Sequence, residues 1–162
     1  MISGTTTLVA HMGYPTYTFK SPLVYNPWFE KNGVDAIVVP MGIKAEDYPN
    51  FFRSVFTLTN IRGALVTMPH KVVTMDLVDE VSPIAEIAGA CNAVLLRQDG
   101  SLYADQFDGA GFVRGVLRKG FDPFRETRAR CRQRRRWLSD RGRSDGSRTG
   151  RDRLVRSARA LL

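Results

Sequence analysis

Four polar segments of the chain carry the residue types used by acid–base and ligand-binding chemistry. They are GYPTYTFKSP (13–22), VTMPHK (66–71), GACN (89–92) and DQFDGAGF (105–112). Lys71 brings an ammonium, Asp108 a carboxylate, Asn92 an amide and Ser21 a hydroxyl. An ammonium beside a carboxylate can give and hold a proton, while amides and hydroxyls orient a polar ligand. Taken singly, each residue has a plainer reading. Lys71 follows a strand and a proline, as a solvated helix-start residue would. Asp108 opens a glycine-rich helix, where a carboxylate satisfies free backbone N–H groups. Asn92 would close a turn before a hairpin, and Ser21, before Pro22, would cap a helix. His70 is expected in solvent at a helix start, His11 at a strand end, and Trp28 and Phe29 in the core.

The elements that must position these segments follow from periodicity. TTLVAHMG (6–13) and DAIVVPMG (35–42) are short β-branched apolar runs ending at glycine, which suits buried parallel strands. Between them SPLVYNPWFEKNG (21–33) begins with Ser-Pro and stops at Asn32-Gly33, as a helix should. This predicts a βαβ unit. A second helix is predicted over 45–58 with Phe51, Phe52, Val55 and Phe56 on one face, then a third strand over 61–69 cut short by Pro69. Helices are predicted over 71–78 and 82–88, a hairpin about an Asp-Gly turn over 92–105, and a last helix over 108–120. The alternation implies an α/β domain, three layers α/β/α around a mostly parallel sheet. In such sheets ligands sit beyond the carboxyl ends of the strands, where the four polar segments fall.

The net charge of +8 is unevenly spread. Residues 1–124 carry ten basic and twelve acidic residues, a net of −2, whereas 125–162 carry fourteen arginines, no lysine and four acidic residues, a net of +10. The domain itself therefore offers no basic footprint for nucleic acid, and only the tail could make a nucleic-acid-binding protein. Cys91 and Cys131 form no disulfide framework, and no Cys or His spacing resembles a metal site. The N-terminus lacks a basic leader with a long apolar run, and no stretch reaches the ~18 apolar residues of a membrane span. A cytoplasmic protein without a membrane partner is the expectation.

In this order and spacing, the four segments resemble the substrate-binding domain of shikimate dehydrogenases, whose comparable segments read G-N-P-I-x-H-S-K-S-P, N-V-T-V-P-x-K, A-G-A-V-N-T and D-N-T-D-G-x-G-F. The resemblance runs from about Leu8 to Gly120. It implies an NADP-dependent oxidoreductase that reduces 3-dehydroshikimate, or acts on a related cyclic acid, with the ring in this first domain and NADP(H) in a second, Rossmann domain. Lys71 and Asp108 fall on the family's catalytic lysine and aspartate. Hydride delivery to a ketone leaves an alkoxide, which needs a cationic donor held by a carboxylate. Asn92 and Thr67 fall on positions that bond ring hydroxyls, and Ser21 on one of two serines that bind the substrate carboxylate. Phe19 stands where the family has the other serine, and Phe107 where it has a threonine. Two lost hydroxyls imply a changed, less polar ligand preference. A non-catalytic ligand-binding module is the alternative with the same fold.

The domain is thus expected over 1–121, and 122–162 is expected as a disordered arginine-rich tail in place of the start of the cofactor domain. No apolar strand and no G-x-G-x-x-G follows KGFD. With CGN codons for arginine and TCN for serine, the last two bases of each codon read with the first of the next permit G-K-R-A-L-V-V-G-S-G-G-V-G-S from Arg125 to Ser139. That is a strand running into a glycine-rich nucleotide loop. Runs of CGN yield GNN in that frame whatever their origin, but the Trp137 codon forces glycine, Cys131 alanine or valine, Glu126 lysine or arginine, and Asp140 isoleucine or threonine. The tail therefore reads as a frameshifted segment and not as a selected basic element.

Overall fold

The structure, a computed structural model, describes residues 2–122. The chain divides into two units between Phe107 and Asp108. The first holds β1 (Thr7–Gly13), α1 (Ser21–Lys31), β2 (Ala36–Gly42), α2 (Tyr48–Val55), β3 (Ile61–Val66), β4 (Glu80–Val81), α3 (Pro83–Ala88), β5 (Ala93–Leu96) and β6 (Leu102–Asp105). Of the second unit, α4 (Asp108–Arg118) is described. The expected tail at 122–162 lies outside the described residues, apart from Asp122.

The strands make one sheet in the order β2-β1-β3-β5-β6-β4. The β1–β2, β1–β3 and β4–β6 pairs are parallel; β3–β5 and the hairpin β5–β6 are antiparallel. The result is the expected mixed, mostly parallel α/β sheet. Alternate side chains choose the core: Ala10 and Met12 of β1, Ala64 and Val66 of β3, Val94 of β5 and Ala104 of β6 are all buried on one face. From α2, Tyr48, Phe52 and Val55 join them at the i, i+4, i+7 spacing of a helical stripe. Phe56 packs on the edge of Phe52, but Phe51, expected on the same stripe, is 46% exposed: three residues on from Tyr48, it stands at the border of the stripe, on the side away from Phe52. Edge strand β2 is tied to α1 by the Asn26 amide, which donates to the Val38 carbonyl at 3.2 Å and accepts from its N–H at 2.8 Å. Unpaired edge groups are thereby satisfied. Trp28 is 55% exposed and lies outside the core; α1 has no buried residue at all.

The helix expected over 71–78 is a single 3₁₀ turn, Val73–Asp76. Val72, Val73 and Thr74 are a β-branched run that resists helix, and Thr74 spends its hydroxyl on the His70 carbonyl at 2.7 Å. The chain then straightens into β4. Asp79 accepts from the Leu102 N–H at 2.8 Å and pairs with Arg53, while Glu80 pairs with Arg97, both at 2.7 Å.

Helix α3 starts at Pro83 behind the cap Ser82, whose Oγ accepts from the Ala85 N–H at 3.0 Å and donates to Asp105 Oδ1. Replacing Ser82 with alanine removes the cap and leaves the carboxylate one donor short. The expected loss is about 1–2 kcal/mol, read as a lower urea midpoint at unchanged slope.

Candidate functional site

The three parallel strands β1, β2 and β3 end side by side at Gly13, Gly42 and Val66. Backbone bonds lace the chain just past them: Tyr14 N–H to Met68 O at 3.0 Å, Thr67 N–H to Met12 O at 2.9 Å, and Ile43 N–H to Gly13 O at 3.1 Å. The X-Pro bonds that follow, Tyr14–Pro15 and Met68–Pro69, are both cis. A Cβ at Gly13 would lie 2.4 Å from Thr67 Cγ2, 2.9 Å from Met68 O and 3.0 Å from Phe19 Cζ. Only glycine fits there, and its bareness lets Thr67 and Phe19 close over the strand end.

Lys71 and Asn92 are anchored to the same edge. The His70 N–H donates to Thr67 O at 2.9 Å, and the Lys71 carbonyl receives the Cys91 N–H at 2.9 Å. Asn92 sits between β3 and β6: its carbonyl accepts from Val66 N–H and its N–H donates to Asp105 O, both at 2.9 Å. Its side-chain Oδ1 accepts from Phe107 N–H at 3.0 Å. Thr67, Lys71, Asn92 and Phe107 thus belong to one bonded frame at the carboxyl ends of the strands. The Phe107 ring is 54% exposed. Ser21 is the first residue of α1, with Lys20 and not Ser21 in the cap position, and Asp108 opens α4 in the second unit.

Beneath Lys71 lies a buried polar cluster that contradicts the solvent-exposed place expected for His70. His70 is 1% exposed and stacks flat on Tyr48, ring centres 3.7 Å apart and planes 2° from parallel. Its Nε2 donates to the Ile43 carbonyl at 2.8 Å. The Tyr48 hydroxyl meets Thr74 Oγ1 at 2.8 Å. No sequence signal marks Tyr48 and Thr74 as polar supports of the lysine turn, since their partners come from 26 residues away. Burial pushes the Cys91 thiol up to about 11, so it is no thiolate nucleophile at neutral pH.

Burial holds the His70 imidazole below its ordinary value of 6.5, partly offset by the bond to Ile43, and burial lowers His11 likewise. Below 6.5 the unfolded chain takes up protons that the folded chain refuses, so stability falls as pH drops through that window and is flat above it. His70→Phe removes one such group. Unfolding midpoints between about pH 7.5 and 5.5 are expected to fall less steeply in the variant; equal slopes would contradict this.

A cleft of about 370 Å³ on the sheet face away from the core is lined by Val9, Gly63, Leu65, Ala93, Leu95 and Phe107 among others. Arg62, Tyr103 and Asp105 border it, but its walls are otherwise apolar, and the polar frame at the strand ends is the better candidate for a polyhydroxy acid. Among the described residues no group of three or more His, Cys, Asp or Glu could hold a metal. Nor is any described helix long and apolar enough to cross a membrane. The nearest thing to a dinucleotide loop is the passage from β6 into α4. It sets Asp108 at the helix's first residue, where a pyrophosphate would meet a carboxylate, and Arg114 where the third glycine would stand. The described residues do not fit a dinucleotide.

In mixed α/β sheets of this kind, the carboxyl ends of the parallel strands are where small molecules are held. Residues 12–94 match the family described as the shikimate dehydrogenase substrate binding domain, and the chain belongs to that family. Shikimate dehydrogenase (NADP(+)) of Paramagnetospirillum magneticum is 34% identical over 119 residues, covering 74% of this chain and 42% of the relative. The enzyme of that name from Rubrobacter xylanophilus is 36% identical over 122 residues, 75% of this chain and 43% of the relative. The crystal structure of shikimate 5-dehydrogenase from Listeria monocytogenes, in complex with shikimate and NAD, matches with a TM-score of 0.69 and 30% identity over 75% of this chain and 41% of that one. The chain spans about two fifths of the length of these relatives.

Proposed function

We propose that the chain is the substrate-binding part of an NADP-dependent oxidoreductase that interconverts a cyclic keto acid, 3-dehydroshikimate or a close relative, and its alcohol. The observation that carries this reading is the bonded frame of Thr67, Lys71 and Asn92 at the strand ends of a domain of this family. Thr67 and Asn92 bind ring hydroxyls, and Ser21 binds the carboxylate. Lys71 faces the oxygen that changes between ketone and alcohol, where its ammonium steadies developing negative charge and passes a proton. The resemblance gives Asp108 the role of the carboxylate that shares this proton. NADP(H) supplies the hydride and belongs to a further domain, since the described residues do not fit it.

Phe19 and Phe107 replace hydroxyls at two ligand-facing positions, so the preferred acid is less polar than shikimate. Calorimetric titration of the chain with shikimate tests this. The double variant Phe19→Ser, Phe107→Thr is expected to bind it at least about 10-fold more tightly than the parent, and Asp108→Asn more weakly. Equal affinities across all three would refute the assignment. Residues 1–121 form the binding domain, and 122–162 are an out-of-frame reading of the start of the cofactor domain. The composition of the tail and the constraint at Trp137, Cys131, Glu126 and Asp140 support this. Resequencing the gene through those codons tests it: one gained or lost base restores a glycine-rich loop, or the frame stands and the reading falls.

A further inference from the structure

His11 is 4% exposed, and its Nδ1 is buried without a hydrogen-bond partner among the described residues. Natural folds rarely leave such an atom orphaned, because it gives up its bond to water and gains nothing. Its position suggests what would satisfy it. Ala10 and Met12 of β1 point into the core, so His11 lies on the opposite face, in register with Leu65 of β3. It is two residues, about 6.6 Å, short of Gly13, where Thr67 and Phe19 meet. The Phe19 ring lies over the imidazole, centres 4.1 Å apart and planes tilted by 31°. The side chain that shields His11 is thus the one that replaces a ligand-binding serine in the proposed reading.

We infer that His11 is a ligand-binding residue, its Nδ1–H bonding the carboxylate of the cyclic acid in place of the hydroxyl missing at position 19, and that Phe19 covers it until the ligand enters. This rests on the proposed function. No partner on Nδ1 fixes the tautomer, so the ring is free to carry its proton there and act as a neutral donor to an anion. Phe19 is only half-buried, and a turn about its side-chain bonds uncovers the nitrogen without moving β1. The pair gives the site an apolar surface when empty and a polar contact when filled. An acid that places an apolar edge near its carboxylate would be favoured over shikimate.

The chain has two histidines, so both rings are resolved in an imidazole ¹⁵N spectrum of the whole protein. On titration with shikimate, the His11 Nδ1 resonance is expected to move toward that of a protonated, hydrogen-bonded nitrogen, while that of His70 stays in place. Shikimate methyl ester, which lacks the anionic carboxylate, is expected to move it less. His11→Leu lowers shikimate affinity about 3- to 10-fold. His11→Asn, whose amide nitrogen stands near the place of Nδ1, retains most of it, and in a Phe19→Ser background the effect of His11→Leu shrinks below about 2-fold. If shikimate shifts the amides of Thr67, Lys71 and Asn92 while the His11 ring does not respond, the inference is overturned and the proposed function stands. If none of these amides responds, both fall.

Discussion

Lys71→Met is expected to lower the affinity of the chain for shikimate by about 10- to 150-fold, the cost of removing a charged hydrogen-bond donor from a bound oxygen. The main chain at Lys71 is held by the Cys91 N–H and by the His70 turn, neither of which involves the ammonium. The variant should therefore fold, and its urea midpoint separates loss of a ligand contact from loss of the domain. Joined to a nicotinamide-binding domain, the same change is expected to cut turnover by a further 10²- to 10⁴-fold, roughly what a positioned proton donor contributes. A variant that binds shikimate as well as the parent would remove Lys71 from the site.

Phe52→Ala is expected to destabilise the first unit by about 3–5 kcal/mol, much of the roughly 5–15 kcal/mol that holds a domain of this kind. Phe52 is fully buried at the centre of an aromatic row, 5.5 Å from the ring centre of Tyr48 and 5.2 Å from that of Phe56. The void would sit beside Tyr48, whose hydroxyl and ring face support Thr74 and His70 under the lysine turn. Ligand affinity should therefore fall with stability. Phe51→Ala, one residue away but half in solvent, should change the unfolding energy by less than about 0.5 kcal/mol. Similar losses for the two variants in urea unfolding would contradict the packing described.

The contrast between Phe51 and Phe52 illustrates how far the sequence could be read. Strands β1, β2 and β3 were legible because each is a β-branched run closed by a glycine or a Thr-Met-Pro turn, and the β5–β6 hairpin because Asp99-Gly100 separates two apolar runs. Tyr48, outside the apparent Phe-Phe stripe, sets the true face of α2, and a phenol is hard to place in a core from its type alone. The 71–78 segment has enough apolar residues for a helix. Thr74 instead bonds back to His70 and across to Tyr48, which only the tertiary structure reveals. Strand β4, two residues long, carries no period, and pairing with β6 creates it. At the proposed site, the resemblance singled out Thr67, Lys71 and Asn92, and the structure brings their main chains together at the strand ends. The cover that Phe19 forms over His11 was not, because it joins a strand position to a loop eight residues on through packing alone.

The central claim, that the strand ends of this domain bind a cyclic carboxylic acid, is tested most directly by recording backbone amide spectra of the full chain during titration with shikimate. Saturable shifts confined to Gly13, Phe19, Ser21, Thr67, Lys71, Asn92 and Phe107–Asp108, and lost in Lys71→Met, are the predicted result. Shifts centred instead on the apolar cleft around Leu65 and Leu95, or none at millimolar shikimate in either the parent or the Phe19→Ser, Phe107→Thr variant, would contradict it.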